Sequence, residues 1–326
     1  MKKTIALTLV VLLVAALALT VGCQKSSAAN YKPFEDDETT NYHFEDIYPD
    51  LNYAMPADTS DTEALKDLAY RLYAKANELA QKCPRRAAIS ICLVETTGLP
   101  VVGQITDVKN GDEYYKLDYQ EPAMIGPITA SPAHAKATYA NIALPDAYYM
   151  QLGEIQVNDD KFTADWSKEP DVTEWQTIPY FHPSQELLFQ QTDMWILPET
   201  IKSVTLTHND EEGYWYMVLE LDVKNDKTTE ITQAKLRSSS DTTKKAKYTS
   251  IVETIEIWDN GMFKSFMSMD EWKAGIISSK IDYRTYISYD ADACDVTKMD
   301  NYAGIRAAAF AAQEQREQEG EEQGQE

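Results

Sequence analysis

Hydrophobic positions along the chain fall into three regimes. Residues 5–21 are apolar almost throughout, directly behind Lys2 and Lys3. Residues 24–60 carry no sustained apolar period. Ser26, Ser27, the acidic run Glu35-Asp36-Asp37-Glu38 and prolines at 33, 49 and 56 mark them as a tether, although Tyr31, Phe34, Tyr42, Phe44, Tyr48 and Tyr53 imply that part of it docks on the globular domain. From residue 61 the pattern becomes periodic. Ser60-Asp61-Thr62-Glu63 reads as a capping box, with the serine accepting from a first-turn amide and the glutamate reaching back. Leu65, Leu68, Ala69, Leu72, Ala76 and Leu79 then repeat at helical spacing until Pro84. One face of this helix must be covered. Strands over residues 88–95, 101–109 and 113–119, the last two joined at Asn110-Gly111, are the expected cover.

Residues 120–200 hold scattered prolines, small residues and acidic turns, which predict only short elements. Strand periodicity returns over 204–207 and 214–223, where Trp215, Met217, Leu219, Leu221 and Val223 share one face and HNDEEG turns between the strands. A polar helix or loop covers 227–240. A second hairpin spans 248–258 and 262–269 around Asp259-Asn260-Gly261. In the strand after it Ile281, Tyr283, Ile287 and Tyr289 alternate with polar positions, the mark of a sheet with one wet face. Alanines favour a helix from about residue 297 to 310, whereas the Glu/Gln tract over 307–326 has nothing to bury and is expected to fray. The fold class is α+β: a curved, mostly antiparallel sheet packed on an N-terminal amphipathic helix, with a C-terminal helix. The globular domain covers residues 61–306, divisible at about 61–165 and 185–306.

The N-terminal run has the basic flank, apolar stretch and small-residue exit of a signal segment. Seventeen residues also reach the lower limit for spanning a bilayer, so an uncleaved anchor and an ordinary secretory signal stand as alternatives. Gly22-Cys23 resembles the lipobox of bacterial lipoproteins, with Thr20 where leucine is usual. The resemblance implies that residues 1–22 are removed and that Cys23, acylated on sulfur, becomes the first residue. Lipid-anchored or uncleaved, the chain beyond Cys23 faces outward from the cell membrane, on its extracytoplasmic side.

Charge changes the picture next. Removing residues 1–22 takes two lysines and no acids from a net charge of −23, leaving −25. So acidic a surface repels phosphate backbones, which excludes nucleic acid as a partner, and leaves the anchor to hold the protein to the membrane. Twenty tyrosines and six tryptophans against twelve glycines fit a β-rich globular chain. With Cys23 acylated, Cys83, Cys92 and Cys294 allow at most one disulfide, Cys83–Cys92 being the first pair to suspect, and buried reduced thiols serve as well as small hydrophobes.

Compact catalytic signatures are missing. There is no GxSxG or SxxK for nucleophilic hydrolysis, no HExxH, no zinc-type Cys/His cluster, and no Walker or dinucleotide glycine motif, so no cofactor or metal is implied. His43, His134, His182 and His208 are scattered and read as exposed loop residues. Asp290, Asp292 and Asp295 are spaced like calcium-loop ligands, but Cys294 replaces one oxygen donor and Asp295 stands where the loop needs glycine, so helix capping is the better reading. Acid pairs such as Asp159-Asp160 or Glu211-Glu212 flank a glycosidic bond only if the fold brings distant partners together. Trp166, Trp175, Tyr180 and Phe181 lie in the irregular middle, where rings are free to stack on sugars or line apolar pockets, and they are the candidate ligand-binding residues. Trp215, Trp258 and Trp272 lie in regular segments and are expected in the core.

The order of lipobox, tether, capped helix and hairpins, with WILPETIKSVTLTHNDEEGYWYMVLELDV and IVETIEIWDNGMFKSFMSMDEW near its end, resembles uncharacterised lipoproteins of Gram-positive bacteria. More distantly the layout is similar to lipid carriers of the LolA and LppX type, in which a curved antiparallel sheet folds over helices around an apolar cavity. That resemblance covers most of residues 61–306 as layout and transfers no ligand residue. Two functional classes remain: a non-catalytic binding domain for a lipid, a sugar or an envelope protein, and a surface hydrolase whose site is assembled from distant acids and tyrosines. The missing signatures favour the first. For the anchor, metabolic labelling with a fatty-acid analogue is expected to mark the wild type and to spare Cys23→Ser.

Overall fold

The computed structural model describes residues 51–125, 128–131, 133–144, 147–152, 155–158, 161–164, 172–176, 196–225 and 247–323. The tether up to residue 50, with Cys23, lies outside them, as does the polar segment 227–240. Helix α1 (Thr62–Lys82) leads into β1 (Arg85–Thr96), β2 (Leu99–Asn110) and β3 (Glu113–Gln120). Seven shorter strands come next: β4 (Ala123–Ile125), β5 (Ile128–Ser131), β6 (His134–Asn141), β7 (Ala147–Leu152), β8 (Ile155–Asn158), β9 (Lys161–Ala164) and β10 (Val172–Gln176). The chain then forms β11 (Ile201–Asn209), β12 (Tyr214–Leu221), β13 (Lys247–Trp258), β14 (Phe263–Ala274), β15 (Ile277–Ser288) and helix α2 (Tyr302–Gln323).

Eleven strands make one antiparallel sheet in the order β10-β7-β6-β3-β2-β1-β15-β14-β13-β12-β11, and β4-β5 and β8-β9 are separate two-stranded hairpins. The expected α+β class, with a helix at each end of the domain, is what the chain adopts. Two meanders meet where the first strand pairs with the last. β1 and β15 run in register from Ala87 opposite Ser288 to Thr96 opposite Ser279. This ladder closes a gap of nearly two hundred residues along the chain, so it is the most expensive loop in the fold to close.

The two helices lie on opposite faces. α1 sets Leu68, Ala69, Leu72, Ala76 and Leu79 against Leu206, Met217, Leu219, Ile251, Ile255 and Phe266 of β11–β14, and the Tyr73 and Phe263 rings meet edge to face at 6.1 Å. Ala88 of β1 and Ile287 of β15 join this first core. The side chains of Ala87 and Ala88 leave opposite faces of the pleat, as neighbours in a strand must, and Ala87 packs instead with Val108, Cys294 and Val296. Continuing across that second face, Tyr115, Leu117, Ala137, Tyr139, Tyr148 and Met150 of β3, β6 and β7 pack under Ile305 and Ala309 of α2. The hairpins directly after α1 are therefore not its cover. Proximity in sequence points to them, but their large side chains face α2, and the C-terminal meander supplies the apolar face that α1 needs.

Local signals shift by a residue or two. The cap of α1 is Asp61, whose Oδ1 accepts from the Ala64 amide at 3.1 Å, while the Ser60 hydroxyl donates to Asp58 at 2.6 Å. Asn110 ends β2, and Gly111-Asp112 form the two-residue loop, with Gly111 at φ +56°. α2 begins at Tyr302, after a 3₁₀ turn (Val296–Lys298) capped by Asp295. It runs on to Gln323, well beyond the expected fraying point, with Gln315 bonded to Glu319 one turn later.

The tether's last residues are fixed to the domain. The Leu51 amide donates to the Asp259 carbonyl at 2.6 Å, Arg71 lies over the Tyr53 ring, and Met55 packs on the first core. Gly261 makes this fit possible. At φ +87° it occupies backbone space that L side chains avoid, and a Cβ there would lie 2.7 Å from Leu79 Cδ1 and 3.0 Å from Leu51 Cδ1. Gly261→Ala is expected to destabilise the domain by about 1–3 kcal/mol, read as a lower urea midpoint with unchanged slope, whereas Gly98→Ala, with nothing within 4 Å of its Cβ, costs only the strain of its φ of +83°.

Candidate functional site

The face that carries α1 does not end where α1 ends. It continues across β14, β15, β1 and β2 in cross-strand rows. One row runs Leu99, Thr96, Ser279, Trp272, Tyr248, and the next runs Val101, Val94, Ile281, Asp270, Ile251. Leu99, Val101, Val94, Ile281 and Trp272 are each only half-buried, although the β13 and β14 residues under α1 on the same face are closed off. Trp272 thus departs from the core role expected of it, while Trp215 and Trp258 keep theirs. A pocket of about 210 Å³ lies between the β1–β2 and β14–β15 turns, where Trp272 and Ser279 meet Glu95, Glu271, Lys273 and Lys280, whose positions alternate to the opposite face of the sheet.

Polar groups floor this wall. The Ser90 and Thr285 hydroxyls hydrogen-bond across β1 and β15 at 2.8 Å, and those of Thr96 and Ser279 at 3.0 Å. Ser268 donates toward both Asp270 (2.8 Å) and Glu253 (3.2 Å), two acids that are 5% and 1% exposed. Burial pushes the Tyr283 phenol up to about 12, and burial with Asp270 and Glu253 nearby raises Tyr248 further. Both tyrosines stay protonated donors. The face carries half-buried apolar side chains at one end and buried, mutually bonded hydroxyl and carboxyl groups toward its middle. Deeper still, Arg86 is 2% exposed and paired with Asp107, whose carboxylate keeps the guanidinium charged despite burial.

A second cluster assembles acids and tyrosines from distant positions, as the hydrolase reading requires. Glu113 Oε1 accepts from Tyr139 (2.6 Å), Tyr302 (2.7 Å) and Arg306 Nε (3.2 Å) beside a cleft of about 650 Å³ at the start of α2. Burial works to raise its pKa, but these three donors hold the carboxyl below the usual carboxylate range. Burial and Glu113 raise Tyr302 to about 12 and Tyr139 beyond it. An ionised acid with one oxygen saturated and two phenols fixed as donors contains neither a general acid nor a general base poised near neutrality. Its role is to clamp α2 onto β3 and β6.

Of the residues singled out from sequence, Trp166, Tyr180, Phe181, His43, His182 and Asp159-Asp160 lie outside the described residues. Trp175 stands in β10, its backbone paired in register with Tyr148 of β7. The acids at 290–295 serve as caps: Asp290 Oδ1 accepts from the Asp292 amide, Asp295 caps Thr297, and Asp292 pairs with Lys298. Cys83, Cys92 and Cys294 are free thiols. β1 carries Cys92 seven residues past Arg85, roughly 23 Å along an extended strand, which separates it from Cys83. His208 is no loop residue. It lies in β11, its ring tilted against Trp215 with centroids 4.6 Å apart, with Nδ1 bonded to Asp210 (2.6 Å) and Nε2 to Asp259 (2.7 Å). Alternation over 201–209 is the signal that carries the strand out to it. Among the described residues no helix is long and apolar enough to cross a membrane.

No protein-family model matches the sequence, and no curated protein matches it either. Among solved structures, the chain is similar to LprF from Mycobacterium bovis, at 8% identity and a TM-score of 0.31 over 66% of this chain and 90% of that one. A beta-barrel-like protein of a domain of unknown function from Brucella abortus aligns at 12% identity and a TM-score of 0.22, over 64% and 98%. At such identities and TM-scores the functional reading rests on this chain's own residues.

The His208 clamp makes stability depend on pH. Burial works to lower its pKa, but Asp259 and Asp210 hold it above the ordinary value. A raised folded-state pKa means that the native state binds the proton more tightly. Its contribution is therefore complete below about pH 6.5 and is lost as pH rises through the folded pKa. The wild type is expected to lose more of its urea midpoint than His208→Gln as pH is raised across that window.

Proposed function

We propose that the domain is a non-catalytic carrier or receptor for an amphiphile with an apolar chain, held at the outer face of the cell membrane by an acyl anchor on Cys23. The supporting observation is the half-open wall: Leu99, Val101, Val94, Ile281 and Trp272, drawn from four strands, remain half-buried on a face that is fully packed farther along. Fully burying a side chain of this size is worth about 1.5–3 kcal/mol relative to leaving it exposed, so a bound chain gains by completing burial that the fold leaves unfinished. Tyr283, half-buried among these strands, is then the hydroxyl nearest the ligand's polar end. Ser268, the hydroxyl of this surface that stands beside carboxylates, is buried at 8% exposure rather than presented to an entering substrate.

Two measurements test the reading. Organic extraction of the purified protein is expected to release a lipid, and an anthroyloxy-labelled fatty acid is expected to bind saturably. Replacing Val94 and Ile281 together by serine is expected to weaken that probe by on the order of tenfold, a loss of about 1.4 kcal/mol. No saturable binding together with robust turnover in a hydrolase screen, abolished by changing Glu113 or another acid without loss of folding, would favour the enzyme class instead.

A further inference from the structure

At the far end of β14 and β15 the structure leaves two apolar side chains in water. Ala274 pairs with Ile277, so Gly275 and Ile276 make the turn, with Gly275 at φ +66° supplying the positive angle that such tight hairpins need at their first position. Ile276 is 89% exposed and Ile277 42%. Turn chemistry does not ask for isoleucine here, and each exposed side chain forgoes burial.

Charge around the tip runs against the rest of the molecule. Lys273 and Lys280 flank the isoleucines, and Lys247 stands directly opposite Lys273. Glu271 lies opposite Lys280, and Glu95 lies opposite Lys280 on its other side. Three lysines against two glutamates give the tip a positive balance in a chain of net charge −23. Trp272 sits one residue inside Lys273, half-buried and lining the pocket of about 210 Å³ that opens there. Apolar side chains at the extremity, an indole behind them and ammonium groups beside it are the depth order of a segment seated in a lipid interface. We propose that the β14–β15 hairpin tip docks on an anionic lipid surface, with Ile276 and Ile277 entering the headgroup region.

Chain length permits it. Leu51 leaves the domain at the β13–β14 turn, the opposite end of β14, a strand of 12 residues and roughly 40 Å. Between Cys23 and Leu51 the backbone has a contour of up to roughly 95 Å. An anchor at Cys23 can therefore hold the protein while the distant tip faces the same membrane. The tip is braced by the neighbouring turn, where the Thr97 amide donates to the Ser278 carbonyl at 2.8 Å. Docking there would set the mouth of the apolar wall against lipid. The tip's own case stands on its exposure and charge, independent of what the wall carries.

The test uses the full acylated chain in a Cys92→Ala background, reconstituted into vesicles. An NBD fluorophore is placed on Ile276→Cys or, as control, on Asp112→Cys at the opposite end of the sheet. In vesicles containing phosphatidylglycerol, the label at 276 is expected to shift to the blue and to be quenched by doxyl lipid severalfold more than the label at 112. Added salt or phosphatidylcholine alone should reduce the difference, because the lysine contribution is screened or absent. Equal quenching at the two sites in floating, protein-loaded vesicles would overturn the docking tip, and a chain that does not float with vesicles would overturn it together with the anchor. With the label moved to the exposed neighbour Ser278→Cys, replacing Ile276 and Ile277 by serine is expected to reduce the doxyl quenching severalfold while leaving fatty-acid probe binding unchanged, which separates failure of this surface from failure of the carrier reading.

Discussion

Everything in this fold hangs on the pairing of the first strand with the last. β1 and β15 share a ten-residue register, from Ala87 opposite Ser288 to Thr96 opposite Ser279. The ladder joins two antiparallel meanders that would each otherwise be a separate sheet with an open edge. Because β1 is also the strand where the core changes sides, with Ala88 facing α1 and Ala87 facing Val108 and Cys294, a one-residue slip would exchange the two cores. The hydroxyl pairs Ser90–Thr285 and Thr96–Ser279 fix the same register. Buried or half-buried hydroxyls that satisfy each other cost little in the native pairing and strand each other in any shifted one.

The same division of labour produces the candidate site. One helix cannot cover a face of eleven strands. α1 lies over β11–β14, α2 lies on the other face over β3, β6 and β7, and the central strands receive only the margins of each. The half-open wall on β15, β1 and β2 is the part of the first face that α1 does not reach. Its open side chains are thus a geometric consequence of placing two helices on opposite sides of a single sheet, and its polar floor lies where the hydroxyls that set register must be.

Regular elements are legible in the sequence where one physical signal dominates. The stripe Leu65–Leu79 marks α1, and alternation from Trp215 to Leu221 marks β12, because each buries a single face. The partner of each element and the middle of the chain are not legible in this way. β6 and β7 put Ala135, Ala137, Tyr139 and Tyr148 into the second core, and the alanines, depleted in strands, dilute the strand signal of the tyrosines between them. Those rings are buried because their hydroxyls are satisfied: Tyr148 donates to Gln313 at 2.6 Å and Tyr115 to the Asp300 carbonyl at 2.8 Å. Such a core is invisible until α2 is placed over it. The glutamine and glutamate positions of α2 mislead for a related reason, since Gln313 is an anchor for Tyr148 before the helix runs on with residues 314–320 exposed. At the site, Trp272 reads as core because it alternates correctly. Alternation specifies the face of a strand and says nothing about whether another layer covers that face at that point.

Electrostatics then constrains how such a molecule can work at a membrane. A chain of net charge −23 is pushed away from anionic headgroups, but the repulsion is felt only within about a Debye length, 8–10 Å at ordinary ionic strength. The proposed anchor at Cys23 would overcome it by raising local concentration, without choosing which part of the domain faces the lipid. Orientation must come from the local balance at the point of contact. The β14–β15 turn combines a lysine surplus with exposed isoleucines. The end where Leu51 leaves the domain instead presents Asp210, Glu211, Glu212 and Asp259, partly neutralised by Lys264 and His208. A dipolar arrangement of this kind would turn a domain tethered as proposed with its acidic end outward, so that the anchor and the tip would divide between them two tasks, retention and orientation, that neither performs alone.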